Sequence, residues 1–144
     1  MDEGQATGSV RHVAPRTAGA LAEALVDARD YTKRMYGHLT AAAREFPQRP
    51  TVNLPRWELG HVGWFQEFWC HRYAADDPRA QRTPSRLAQA DAWWDSARIP
   101  HATRWSLPLP DWAGVHAYLD ATLATTLQRP AAGRRLLRLF VNIN

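Results

Sequence analysis

Hydrophobic residues recur along the chain at steps of three and four, the spacing of one face of an α-helix. No stretch alternates hydrophobic and polar residues with period two, and no Asn-Gly or Asp-Gly pair marks a β-hairpin. The first helix is predicted to begin at Thr17, whose hydroxyl can cap it, and to end near Phe46, before Pro47. Its core-facing positions are predicted to be Leu21, Leu25, Ala28, Thr32, Met35, Leu39 and Ala42.

Pro55 opens the second predicted helix, because proline lacks the N–H that the first turn of a helix leaves unbonded. This helix is expected to run to about Ala74. Asp111 is the predicted cap of a third long helix, which continues to about Gln128 and stops before Pro130. The other predicted elements are loops over 47–55 and 75–87, a short helix over 88–96, irregular chain over 97–110, and a helical start over 133–140.

These elements predict an all-α fold, namely an up-and-down four-helix bundle whose fourth helix is truncated. Residues 1–15 lack periodicity and are rich in small and polar residues, so we expect a mobile tail followed by one bundle domain over 16–144. A length of 144 residues with 45% hydrophobic residues is enough to bury a core in a single domain.

Composition narrows the function classes. There is no apolar run of the ~18 residues that a membrane helix needs, and the first residues do not form a secretory signal, so we expect a cytoplasmic protein with no membrane partner. One cysteine, Cys70, excludes a disulfide framework and is interpreted as a small buried hydrophobe. The net charge of +4 comes from scattered basic residues without a cluster, which argues against nucleic-acid binding.

The second helix carries the candidate chemistry. One stripe along it, at alternating steps of four and three, consists of Trp57, His61, Trp64, Phe68 and His71. Gly60 and Gly63 flank His61, and each costs up to about 1 kcal/mol against alanine in a helix interior. We therefore expect another helix or a ligand to approach the backbone closely there. An aromatic bundle core and a metal site both fit the stripe, although a metal needs three or more ligands.

The run Trp57–Arg72, WELGHVGWFQEFWCHR, resembles the histidine-bearing helix of DinB-like domains. It is similar, more closely, to the N-terminal domain of the ergothioneine-type sulfoxide synthases and of selenoneine synthase. The stretch Trp93–Asp111, WWDSARIPHATRWSLPLPD, is similar to the corresponding segment of the selenoneine branch. The resemblance covers roughly residues 17–140.

The resemblance implies a non-haem iron(II) oxidoreductase that uses O₂ to join a sulfur or selenium donor to C2 of the hercynine imidazole. Three histidines hold the iron in that family, and the first corresponds to His61. Trp64 and Phe68 would wall the substrate site. Arg104 lies where the sulfoxide synthases place an arginine that binds the donor carboxylate. Since the donor of the selenoneine branch is a selenosugar rather than a thiol, an arginine that anchors its own loop is the competing interpretation.

The chain departs from the family pattern in two respects. The other two iron ligands form an H-x-x-x-H pair on the fourth helix, yet the chain reads VNIN after RRLLRLF, and the family's C-terminal formylglycine-generating-enzyme-like domain is missing. We therefore expect this chain alone to be inactive. The alternative is a non-catalytic DinB-like interaction module that forms a homodimer. Thiol transferases of the bacillithiol or mycothiol type are a weaker alternative, because they need the same absent ligands.

Overall fold

A computed structural model of the chain describes residues 17–73 and 83–129. Five α-helices lie in these two ranges: α1 (Ala18–Gly37), α2 (Ala41–Arg44), α3 (Pro55–Glu67), α4 (Ala90–Trp94) and α5 (Trp112–Gln128). A π-helical turn, Phe68–Arg72, extends α3, and a 3₁₀ turn, His101–Trp105, lies between α4 and α5. The part of the chain that the structure describes contains no strand, which confirms the all-α fold. The predicted N-terminal tail and the helical start over 133–140 lie outside the described residues.

Local capping determines where the long helices begin. The Thr17 hydroxyl accepts a hydrogen bond from the Ala20 backbone N–H at 3.1 Å, and the Asp111 carboxylate accepts one from Gly114 at 2.7 Å. Pro55 occupies the first turn of α3. These three predicted starts are confirmed, as is the end of α5 at Gln128.

The first helix is shorter than predicted. It ends at Gly37 instead of Phe46, and α2 follows it as a separate turn. Glycine is a poor helix former, and Thr40, with extended backbone angles, caps a new helix by accepting a hydrogen bond from Ala43 N at 3.2 Å. The short helix predicted over 88–96 is confirmed within narrower limits, Ala90–Trp94. The stretch 97–110, predicted to be irregular, contains the 3₁₀ turn.

The buried side of α1 also differs from the predicted stripe. Leu21 is buried as predicted, whereas Ala28 and Met35 are exposed. Arg29, which is not among the predicted core-facing positions, is 4% exposed. Its guanidinium donates a hydrogen bond to the Gln66 side chain of α3, so a polar contact between two helices fixes the rotation of α1.

The core lies between α3, α4 and α5. Its largest fully buried side chains are Trp57, Trp94, Leu59, Leu119 and Val115. Gly63 of α3 faces Tyr118 and Leu119, and the Gln66 amide bonds Thr126 further along both helices, so α3 and α5 run in the same direction. In a strict up-and-down bundle, consecutive helices alternate in direction. Here α3 and α5 are parallel, because the long connection between them, which carries α4 and the 3₁₀ turn, returns the chain to the end of the bundle at which α3 begins.

Candidate functional site

Two glycines let the core close around α3, as the sequence predicted. A Cβ atom at Gly60 would lie 2.2–2.4 Å from the indole of Trp94, and one at Gly63 would lie 3.1 Å from Tyr118 and Leu119. The group that approaches the backbone is therefore protein, namely the Trp94 side chain at Gly60 and helix α5 at Gly63. The Trp94 ring also stacks on Tyr118, with centroids 5.1 Å apart.

His61 is half-buried and bonded to the end of α4. Its Nδ1 lies 2.8 Å from the backbone oxygen of Trp94. A carbonyl oxygen can only accept, so Nδ1 carries the proton and Nε2 keeps the lone pair. One helical turn earlier, Trp57 Nε1 donates to the backbone oxygen of Trp93 at 2.6 Å. Both rings thus satisfy carbonyls that the last turn of α4 leaves unpaired, and this fixes the orientation of His61.

The predicted site residues come together in one ladder of stacked side chains. The Arg104 guanidinium lies 3.7 Å from the Trp57 ring centre, and Trp57 stacks on His61 at 5.1 Å with an angle of 8° between the planes. His61 stacks on Trp64 at 5.7 Å, and Trp64 stacks on Phe68 at 5.2 Å. The three- and four-residue spacing explains the ladder along α3. The position of Arg104 depends on a long-range cation–π contact.

Arg104 also anchors the connection between α4 and α5. It donates one hydrogen bond to the Asn53 side chain and a second to the backbone oxygen of Ile99 at 3.3 Å. Burial lowers the pKa of this guanidinium, and the charge of Glu58 opposes that shift. These contacts favour the loop-anchoring interpretation of Arg104 over direct binding of a donor carboxylate.

An ion pair that sequence reasoning missed holds Trp64 in place. Trp64 Nε1 donates to Asp91 Oδ1 at 2.7 Å, and Arg72 binds both carboxylate oxygens of Asp91 at 2.7 and 2.6 Å. The pKa of Asp91 is lowered, and the hydrogen bonds from Arg72 are the largest cause of this shift. The π-helical turn brings Arg72 to this position, with its Nε donating to the Thr83 backbone oxygen at 2.8 Å.

A buried carboxylate, Glu67, supports the same region. It accepts hydrogen bonds from the hydroxyls of Ser85 and Tyr118, both at 2.6 Å, and from the Arg86 backbone N–H at 2.8 Å. Burial, followed by the hydrogen bond to Glu67, raises the pKa of Tyr118. In the sequence, the only indication of this cluster is a glutamate on an aromatic helix. Its three hydrogen-bond donors are far from it in the chain, so their proximity could not be predicted.

Three of the remaining histidines make other contacts. His71, on the π-helical turn, has its Nε2 2.8 Å from the Thr126 hydroxyl. His101 has its Nε2 2.9 Å from the Val52 backbone oxygen, so this ring is protonated at the opposite nitrogen from His61. Burial lowers the pKa of His116. None of them lies in a group with His61, since residues 17–73 and 83–129 contain no set of three or more His, Cys, Asp or Glu that could hold a metal ion.

The described residues therefore do not fit a complete three-histidine iron centre. His61 is oriented as metal-bound histidines are, with one nitrogen bonded to a backbone carbonyl and the other carrying a lone pair. It is a single ligand, and a structural metal site requires more. Cys70 is buried, as predicted. None of the described helices has the length and hydropathy of a membrane span.

The fold is an all-α bundle. The histidine on its second long helix, His61, is hydrogen-bonded to the part of the chain that connects this helix to the third long helix. The DinB superfamily matches residues 11–138, which is most of the chain. The chain therefore belongs to the DinB superfamily. No curated protein matches its sequence.

Proposed function

We propose that this DinB-like domain is the N-terminal part of a non-haem iron(II), O₂-dependent synthase that joins selenium or sulfur to C2 of the hercynine imidazole, and that His61 supplies one of the three iron ligands. The carrying observation is the hydrogen bond from His61 Nδ1 to the Trp94 backbone oxygen at 2.8 Å, which leaves Nε2 with its lone pair. The resemblance of the run Trp57–Arg72 to the synthase family supports the reaction class.

The chain's own residues would orient the ligand and limit its surroundings. Trp57 and Trp64 hold the His61 imidazole between them, so the ring is restricted before any metal binds. Phe68 extends the aromatic wall beyond Trp64. In the synthase family that the run Trp57–Arg72 resembles, bound iron would activate both O₂ and the sulfur or selenium donor. The described residues do not supply the other two histidine ligands of the iron. We therefore expect the chain by itself to form no product.

Two substitutions separate a ligand role from a structural role of His61. His61→Asn places an amide N–H close to the position of Nδ1, so it can keep the bond to the Trp94 carbonyl while it removes Nε2. His61→Ala removes both. We expect His61→Asn to retain most of the free energy of unfolding, whereas His61→Ala loses about 1 kcal/mol. Urea unfolding curves measure this difference.

Activity is measured in the assembled enzyme, where the two further histidines accompany this chain, with hercynine, a selenosugar or thiol donor, iron and O₂. We expect His61→Asn to lower iron content and product formation by roughly a hundredfold. His101→Asn is the matched control and keeps both. Full iron content and full activity in His61→Asn would show that the assignment is wrong.

A second function, a non-catalytic module that forms a homodimer, is favoured by exposed hydrophobic side chains. Val62 and Phe65 project from α3, and Tyr73 follows its π-helical turn, with exposures of 36%, 45% and 39%. Surfaces of this kind often bind partner proteins. Size-exclusion chromatography with light scattering distinguishes the two functions: a homodimer that dissociates in Phe65→Glu supports the module, and a monodisperse monomer opposes it.

A further inference from the structure

The short helix α4 binds three side chains of one stripe of α3. The indole of Trp57 and the imidazole of His61 donate to backbone carbonyls of its last turn, at 2.6 and 2.8 Å. The indole of Trp64 donates to the carboxylate of Asp91, in the first turn of α4, at 2.7 Å. The three donors are spaced four and three residues apart, so they lie on one face of α3 and meet α4 at both of its ends.

Asp91 carries a charged link between α4 and the π-helical turn that extends α3. Arg72 Nη1 and Nη2 donate to the two Asp91 oxygens at 2.7 and 2.6 Å, and the Arg72 side chain is 4% exposed. A guanidinium that is this buried needs a paired carboxylate, because an isolated charge is costly to remove from water. The ion pair therefore attaches the first turn of α4 to the π-helical turn.

Helix α4 depends on such contacts for its position, because a helix of five residues is too short to be stable alone. The buried indole of Trp94 attaches its last turn to α3 and α5, at Gly60 and Tyr118. Asp91 provides a second attachment about 4.5 Å away along the helix axis. Two attachments at separate points fix the direction of α4, which one alone would not.

The last carbonyl of α4 determines which nitrogen of His61 carries the proton. A neutral imidazole has one protonated nitrogen, and its hydrogen bonds decide which one that is. The Trp94 carbonyl at 2.8 Å can only accept, so it selects the form with the proton on Nδ1. Normal N–H···O distances end at about 3.2 Å, and a shift of α4 by about 0.5 Å would exceed that limit. The tautomer of His61 is therefore sensitive to small displacements of α4.

We propose that Asp91 is a positioning residue for His61. Its contacts with Trp64 and Arg72 hold α4 in place. The Trp94 carbonyl then keeps the His61 proton on Nδ1 and the lone pair on Nε2. Loss of the Asp91 attachment lets either nitrogen carry the proton, so Nε2 offers its lone pair in only part of the molecules. The tautomer is a property of the chain without metal, whereas its use in holding iron rests on the proposed function.

Long-range ¹H–¹⁵N spectra of the metal-free 144-residue chain at about pH 8, where an ordinary imidazole is neutral, measure the tautomer ratio of His61. His61→Asn identifies the signals by their absence, and His101, whose Nε2 bonds another carbonyl, is the internal reference. We expect Asp91→Ala to lower the ratio of the Nδ1–H to the Nε2–H form about fivefold, the factor that one hydrogen bond supplies. In Asp91→Asn the change is smaller, because the amide oxygen can still accept from Trp64.

Arg72→Met tests the same link without altering Asp91. It removes the ion pair, and the flexible methionine side chain occupies the buried space of the arginine. We expect it to lower the tautomer ratio about as much as Asp91→Asn does, so the proposal is tested even where Asp91→Ala does not fold. Asp120→Asn is the matched control, since it breaks a different ion pair, with Lys33, and is expected to leave the ratio unchanged.

A merely structural role of Asp91 predicts a different result. The variants at Asp91 and Arg72 would then lower the free energy of unfolding but leave the tautomer ratio of the folded protein as in the wild type, which would overturn the proposal. A wild type with the His61 proton mainly on Nε2, or an equal shift in Asp120→Asn, would overturn it as well. Failure of the proposed function is a separate observation, because it is seen as unchanged iron content of His61→Asn in the assembled enzyme and does not alter the tautomer ratio.

Discussion

A methyl group added at position 60 would overlap Trp94, and the cost of this overlap can be worked out from the structure. The Cβ of Gly60→Ala would lie 2.2–2.4 Å from three atoms of a ring that is fully buried and stacked on Tyr118. Overpacking of this kind costs about 3 kcal/mol, and the better helix propensity of alanine returns up to about 1 kcal/mol. We expect the free energy of unfolding to fall by about 2 kcal/mol.

Urea unfolding of a glycine series measures this effect. Gly19→Ala, with no atom within 4 Å of the new Cβ, is the control and should be neutral or slightly stabilising. Gly63→Ala, with contacts at 3.1 Å, should fall between the two. Because the overlapping atoms are Nε1, Cε2 and Cζ2 of Trp94, the cost of Gly60→Ala should shrink by about 1 kcal/mol in a Trp94→Phe background. Equal stability of Gly60→Ala and Gly19→Ala would refute the packing between α3 and Trp94.

Two further predictions concern the polar contacts around Trp64. Asp91→Asn should lower the free energy of unfolding by about 1–2 kcal/mol near neutral pH, which is less than for a fully buried ion pair because the Asp91 side chain is 42% exposed. Since the folded pKa of Asp91 is lowered, the wild type should lose this contribution as the pH falls below the usual value of 3.8. The variant has no such contribution to lose, and acid unfolding of both proteins measures the difference. Tyr118→Phe should cost about 1 kcal/mol at pH 8 through loss of the bond to Glu67. Because the folded pKa of Tyr118 is raised, the stability of the wild type should fall more steeply than that of the variant as the pH rises above 10.0, although Tyr36, whose pKa is also raised, contributes to both curves. Parallel alkaline curves for the two proteins would contradict this prediction.

Helix starts could be predicted from the sequence because the interactions that determine them are local. Thr17 and Asp111 each bind a backbone N–H three residues later, and Pro55 needs no partner at all. The predicted end of α1 was wrong because two local sequence signals compete there. The hydrophobic spacing continues through Gly37, while Thr40 starts a new helix.

Distant polar pairs could not be predicted in the same way. Arg72 and Asp91 meet across a connection whose path no periodicity describes. Ala28 and Asp30, the two residues next to Arg29 in the chain, are exposed, and the burial of Arg29 depends on the Gln66 side chain of another helix. Arginine is rarely buried, so the predicted core-facing positions did not include it.

The candidate site is an intermediate case. His61, Trp64 and Phe68 share one face of α3 through their spacing alone, so their proximity followed from the sequence. The contact from His61 to Trp94 and the stacking of Arg104 on Trp57 depend on how the connection after α3 folds back. Membership in the DinB superfamily agrees with the resemblance of the histidine-bearing helix.

The proposal that His61 offers Nε2 to a metal can be tested by ¹⁵N spectra of the histidine rings during anaerobic titration of the assembled enzyme, in which the two further histidines accompany this chain, with Fe(II). We expect His61 to be protonated at Nδ1 and His101 at Nε2. Signals of His61 should then broaden at Fe(II) concentrations about tenfold lower than those of His101. Protonation of His61 at Nε2, or broadening of both rings at the same Fe(II) concentration, would contradict the claim.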